Sequence, residues 1–238
     1  MADNGKNLEH AKDLGRIDVK NQELEKMVDQ HGANIYWERS IFCSCLDTYT
    51  GQPDFTCPSC KGKGYFYFGG TQTKALVYSI NAKKDQYPIG MLDVGTSYMT
   101  CHSYDRVAFR DRITFLDMKS IYSQVVTFEG DPEGEVLKYK PLDVITVRNL
   151  GQEIPKTAYT IAGNRIKFQD GLFNPNDRFS VLMEILPTYV VIDIPHELRG
   201  TYIKFGYMTE QWMELPKQYM IKREDLMPSS PDTPPSMG

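Results

Sequence analysis

A chain of 238 residues with 27 Lys plus Arg against 31 Asp plus Glu carries a formal charge of −4, which argues against a protein whose main task is to coat nucleic acid or an anionic membrane. Its 15 Tyr, 11 Phe and 2 Trp, set among 18 Gly and 14 Pro, favour a β-rich fold with many turns over a helical bundle. At roughly 150 residues per domain, one large domain or two small ones are expected.

Residues 1–16 are polar and lack apolar periodicity, so they are expected to form a flexible arm; with no apolar core they do not read as a secretory signal. From Ile17 the pattern becomes that of an amphipathic helix. Ile17, Leu24, Met27, Val28 and His31 fall on or near one face, and Gly32 follows as a stop. The stripe either packs on its own domain or forms a subunit contact.

Residues 34–60 form a compact cysteine segment. Cys43-Ser-Cys45 and Cys57-Pro-Ser-Cys60-Lys-Gly-Lys-Gly64 place two close thiol pairs around a short loop, and four thiolates can close a tetrahedral site around a soft metal ion. Gly62 and Gly64 fit a chain that must bend just after its last ligand. Zinc is the expected ion, with free or redox-active thiols and an iron–sulfur centre as the alternatives. The Cys-x-Cys pair is tighter than the usual Cys-x-x-Cys. Because four cysteines leave zinc no open position, the expected role is structural. Cys101 reads as a small buried hydrophobe.

Beyond the cysteines the grammar is that of strands. Residues 74–80, 106–116, 123–129, 143–149, 178–186, 188–194 and 201–207 are short, rich in β-branched and aromatic types, and bounded by turn residues. The clearest hairpin runs from Tyr159 to Phe168 around Ala162-Gly163-Asn164. Tyr104 to Arg112 alternates charges and reads as a solvated or intersubunit strand face. Residues 210–226, with Trp212, Met213, Tyr219 and Met220, read equally as an interaction segment or a terminal helix. Residues 228–238, PSSPDTPPSMG, are too poor in apolar side chains to order themselves. The expected architecture is mainly β with an N-terminal helix and a small four-cysteine zinc-binding module, the core a β-barrel or sandwich. Its expected divisions are an arm over 1–16, helix plus knuckle over 17–70, a β domain over 71–209, and an interaction segment with a disordered tail over 210–238. The apolar runs, such as residues 189–192, are far short of the ~20 residues needed for a membrane-spanning helix.

Enzyme signatures are thin. His10, His31, His102 and His196 are scattered, and no Walker loop, nucleophile elbow, zinc-protease or dinucleotide fingerprint occurs. His102 beside Asp105 could be a base with its orienter, but a hydrogen-bonded histidine is the stronger expectation. No catalytic residue is expected. A nucleic-acid reading rests on Lys61, Lys63, Lys74, Lys83 and Lys84 around Tyr65-Phe-Tyr-Phe68, basic and aromatic types that grip single strands by stacking and phosphate contact.

The order of an amphipathic helix, Gly32, Ile35-Tyr-Trp-Glu-Arg39, Cys43-Ser-Cys45, Gly51-Gln-Pro53 and Cys57-Pro-Ser-Cys60-Lys-Gly-Lys-Gly-Tyr65 resembles a segment of tailed-bacteriophage virion proteins of the neck or head-tail connector kind. The 159–168 hairpin, Asn174-Pro-Asn-Asp177 and residues 178–189 resemble the β domain of such proteins. This resemblance implies a structural subunit, made in the host bacterial cytoplasm and carried in the virion, that joins a homo-oligomeric ring between portal and tail. It implies portal, adaptor or tail proteins as partners, non-specific contact with DNA in a channel, and Cys43, Cys45, Cys57 and Cys60 as zinc ligands. Another tail or baseplate position, or a zinc-knuckle nucleic-acid-binding protein, is the alternative. Residues 57–64 are also similar to one zinc repeat of the J-domain co-chaperones, but the further repeats and the His-Pro-Asp of that family are missing.

Overall fold

A computed structural model describes residues 21–60, 62–79, 95–195, 200–203 and 211–227. The expected arm over 1–16, the tail over 228–238 and His10 and His196 lie outside the described residues.

Helix α1 (Asn21–His31) leads into a closed barrel. Its six strands are β1 (Ala33–Phe42), β2 (Tyr65–Ser79), β3 (Thr96–Cys101), β4 (Arg112–Phe115), β12 (Thr188–Asp193) and β15 (Gln218–Arg223). The order β1-β2-β3-β15-β12-β4 returns to β1 with every pairing antiparallel, so the barrel has no open edge. Inward side chains from all six strands fill it: Ile35, Trp37, Ala75, Met99, Cys101, Ile113, Phe115, Val191, Tyr219 and Ile221.

Between β4 and β12 the chain leaves the barrel, builds a second β unit and returns. Its first sheet has the order β5 (Ser120–Thr127), β11 (Arg178–Ile185), β7 (Asp143–Asn149), β8 (Gln152–Ile154). The other has β6 (Glu135–Val136), β10 (Arg165–Phe168), β9 (Tyr159–Ala162). They enclose a sandwich-like core in which Phe168, Phe173 and Phe179 meet at centroid distances of 4.7 to 5.3 Å. Alternation along β11 puts Phe179, Val181, Met183 and Ile185 inward, the period-2 signature of a half-buried strand. Departure and return are adjacent, because Thr114 pairs with Thr188 and the Phe115 amide donates to the Pro187 carbonyl at 3.1 Å. The expected hairpin is present with a shorter turn: Ala162 pairs with Arg165, which leaves Gly163 and Asn164 as the loop, Gly163 at φ +61°.

Several sequence expectations are corrected. Residues 33–42 are a barrel strand and not part of the cysteine segment, so the division at residue 70 cuts through β2. The charged run from Tyr104 is mostly loop, and only Arg112–Phe115 is strand. Far from being solvated, Asp111 and Arg112 at its end are buried. Residues 211–223 are strands and not a terminal helix: β14 (Gln211–Glu214) pairs with β13 (Gly200–Ile203), β15 closes the barrel between β12 and β3, and only Glu224–Leu226 forms a single 3-10 turn, while residue 210 lies outside the described residues. Tyr219 and Ile221 therefore belong to the core.

Of the expected helical stripe, Val28 packs on the barrel, Leu24 and Met27 are half-buried, His31 is exposed, and Ile17 lies outside the described residues. Val28 is fully buried, and Gly32 follows where an added Cβ would lie 2.4 Å from the Val28 carbonyl oxygen, so close approach excludes a side chain there. Docking is polar as well. The buried His102 has Nδ1 2.5 Å from Glu25 Oε2 and Nε2 3.3 Å from Asp29 Oδ1, and its ring stacks on Tyr104. Asp105 is not its partner; that carboxylate accepts from the Thr73 hydroxyl at 2.8 Å. Histidine 102 thus fastens a helix. Burial raises the Glu25 carboxyl, but hydrogen bonds from the Ser103 hydroxyl and amide and from His102 outweigh it and hold the group below its usual range. A depressed folded value means that Glu25 stabilises docking above about pH 4.5 and loses this contribution as pH falls through the folded value. Val28 methyl resonances are therefore expected to move toward exposed positions between pH 6 and pH 3. Glu25→Gln should weaken docking already at pH 6, and an unchanged Val28 environment in both experiments would contradict the assignment.

Candidate metal centre

The cysteine module is the connection between the first two barrel strands. Phe42 pairs with Tyr65 as the last rung of the ladder, and one residue further the Cys43 amide donates to the Gly64 carbonyl at 2.8 Å. Each half of the module is a tight turn. Leu46 N–H donates to the Cys43 carbonyl at 3.1 Å, Lys63 N–H to the Cys60 carbonyl at 3.1 Å, and Gly64 N–H to Cys60 Sγ at 3.3 Å. Gly62 and Gly64 take φ of +80° and +78°, and a Cβ at Gly62 would meet the Phe55 backbone at 3.2 Å. The outer loop is stiffened by its aspartates. Asp47 Oδ1 accepts from the amides of Tyr49 and Thr50 and from the Thr50 hydroxyl, and Asp54 Oδ1 accepts from the amide and hydroxyl of Thr56.

These turns bring together all four expected ligands. The sulfurs of Cys43, Cys45, Cys57 and Cys60 lie within 4.8 Å of one another, with Cys43 to Cys57 at 3.8 Å and Cys45 to Cys60 at 3.4 Å. A tetrahedron with metal–sulfur bonds of about 2.3 Å has edges of about 3.8 Å, so the donor set fits one ion. The four thiols are not equivalent. Amide hydrogen bonds from Cys60 and Ser59 bring Cys57 down to about 7, whereas burial, ahead of the neighbouring thiols, pushes Cys45 up to about 12 against an amide bond from Asp54. A metal ion would replace the protons of such a cluster. Cys101 stands apart in the barrel core, where burial raises its thiol well above the usual range.

Of the lysines read for nucleic acid, Lys63 and Lys74 lie among the described residues. Lys74 donates from Nζ to the Asp29 carbonyl at 2.6 Å and so helps to hold α1, while Lys61, Lys83 and Lys84 lie outside the described residues. Of Tyr65 to Phe68, Phe66 and Phe68 are exposed and Tyr67 lies beneath Arg112, 4.1 Å from ring centroid to guanidinium carbon.

A groove at the base of the module was not legible in the sequence. It has a volume of about 890 Å3 and is lined by residues 40–42, 65, 106–110, 193–194, 214 and 217. Arg110 adopts φ +71°, a left-handed conformation unusual for a side-chain-bearing residue, with its amide tied to the Val191 carbonyl at 2.8 Å. Its guanidinium lies 5.2 to 5.3 Å from the ring centroids of Phe42, Tyr65 and Phe109, within cation–π reach. Among the described residues no helix is long and apolar enough to cross a membrane. Comparison with protein-family models and with curated proteins finds no match to this chain.

Proposed function

We propose that this protein is a structural subunit of a tailed-phage virion, a head-tail connector that assembles as a ring of identical copies between portal and tail. In this reading Cys43, Cys45, Cys57 and Cys60 hold one structural zinc ion, and the protein works by docking and not by chemistry. The observation that carries it is the construction of the module. Four thiols fully occupy a tetrahedral ion, and the loop they pin presents Tyr49 and Phe55, two exposed aromatic rings, to solvent. A rigid loop tipped with rings is suited to fitting a partner's surface. The sequence order from Gly32 through Tyr65, with its likeness to connector proteins, supplies the biological setting.

Electron microscopy of the purified, metal-loaded chain tests the reading: rings with a central channel are expected, and monomers at every concentration would overturn it. The nucleic-acid alternative is tested separately by titrating single-stranded DNA at about 150 mM salt, where exposed phosphate contacts are partly screened. No tight binding is expected. Submicromolar affinity abolished by Phe66→Ala and Phe68→Ala would put that alternative first.

A further inference from the structure

We infer that the tip of the cysteine module in one copy of the chain docks into the groove at the module's base in a second copy. The two surfaces are complementary in charge and in ring content. The tip, residues 46–56, contains Asp47 and Asp54 and no Lys or Arg. Each aspartate spends Oδ1 on its own turn, and among the described residues no hydrogen bond or ion pair engages its Oδ2. Between them stands Tyr49, 97% exposed, and directly after Asp54 comes Phe55, 79% exposed. Such exposure means that neither ring is seated in the groove of its own copy.

The groove offers the opposite set. Arg106, Arg110 and Lys217 line it, and none of the three has an ion pair among the described residues. Phe42 and Phe109, both more than half exposed, flank the guanidinium of Arg110. The volume of about 890 Å3 lies within the ~300–1,000 Å3 common for binding sites, ample for two aromatic side chains. Asp193 and Glu214, also on the lining, disfavour a polyanion such as nucleic acid and are tolerated by a short peptide loop carrying two separate carboxylates. Because tip and groove are different surfaces of the same molecule, the contact is heterologous and propagates head to tail. It closes into a ring where the rotation permits. The phage assignment is not required for this contact.

The test uses two full-length, metal-loaded variants. Tyr49→Ala with Phe55→Ala removes the tip's rings and leaves the groove. Arg106→Glu with Lys217→Glu reverses the groove's charge and leaves the tip. Sedimentation should show concentration-dependent association of the wild type and, for each variant alone, self-association weakened at least about tenfold, as expected for loss of anchors. Mixed together, the variants should form 1:1 dimers that grow no further, since only one intact tip and one intact groove remain. Unchanged melting and metal content in each variant separate lost docking from lost folding. Wild-type-like assembly of either variant, or a monomeric wild type at all concentrations, would overturn the inference. Rings that persist in both variants would overturn it while leaving the connector reading standing.

Discussion

Protein purified without added metal is expected to carry one zinc ion per chain, and Cys60→Ser to lose it together with the order of residues 43–64. The physical case is one of closure. A bound ion would tie Cys43 and Cys45 to Cys57 and Cys60, and so restrain a loop that is otherwise held by its aspartate turns and a few local backbone hydrogen bonds. Cross-linking a loop of that length constrains the unfolded chain by about 3 kcal/mol on the arithmetic used for disulfides, to which the thiolate bonds add; zinc-finger peptides reach apparent binding free energies of about 10–16 kcal/mol. With the ion removed, the Cys43 to Gly64 hydrogen bond and the Phe42 to Tyr65 rung become a fraying end of β1 and β2. Elemental analysis and hydrogen exchange check this directly. Cys60→Ser should abolish the metal and raise exchange through the module, whereas Cys101→Ser, in the barrel core, should leave the metal content unchanged. Absence of stoichiometric metal in the wild type, or its loss in Cys101→Ser, would rule out the assigned ligand set.

The module was legible in the sequence because its information is local. Two pairs of cysteines, with Gly62 and Gly64 after the second, define turns within residues 43–64 without reference to the rest of the chain. The groove beside it was not, since residues 40–42, 65, 106–110, 193–194, 214 and 217 meet only when the barrel closes. The same distinction explains the strands. In β11 the alternation is unbroken and was read nearly to the residue. In β1 a register shift between Trp37 and Arg39 puts Trp37 and Glu38, neighbours in sequence, both in buried positions, and the period-2 signal is lost. Residues 210–226 misled for another reason: Pro216 marks a break, yet it lies between β14 and β15 and interrupts neither. That β15 closes the barrel follows from pairing with residues 96–100, a relation between distant segments that periodicity does not carry. Asp111 shows how charge was misread. It is buried because the Trp37 indole and the amides of Ser40 and Ala108 donate to it at 2.8 to 2.9 Å, partners brought by other elements.

The second large effect is expected at Arg112, which lies fully buried on β4 directly opposite Glu38 of β1. Its Nε and Nη2 donate to the two carboxylate oxygens of Glu38 at 2.7 and 2.9 Å, a bidentate fork, and Tyr67 stacks against the guanidinium. The remaining nitrogen, Nη1, has no hydrogen-bond partner among the described residues but lies 3.9 Å from Glu224 just after β15, and Glu224 accepts from the Tyr139 hydroxyl of the sandwich at 3.4 Å. Burial alone would lower the Arg112 value, but the Glu38 hydrogen bonds and the charge of Glu224 raise it, so the guanidinium stays charged. The network therefore joins barrel strands to the inserted sandwich through desolvated charges. Removing one member is far worse than removing a pair, because the survivor keeps its desolvation cost without its partner. Arg112→Met is expected to destabilise by about 3–5 kcal/mol, roughly 10 °C in Tm for a chain of this size. Arg112→Met combined with Glu38→Met should recover a large part of that loss, giving a coupling of about 2 kcal/mol or more where independent sites would simply add. Denaturant titration of the wild type, both single variants and the double variant measures the coupling; additivity within about 0.5 kcal/mol would mean that packing of the Arg112 stem on Tyr67, and not the ion pair, holds this junction.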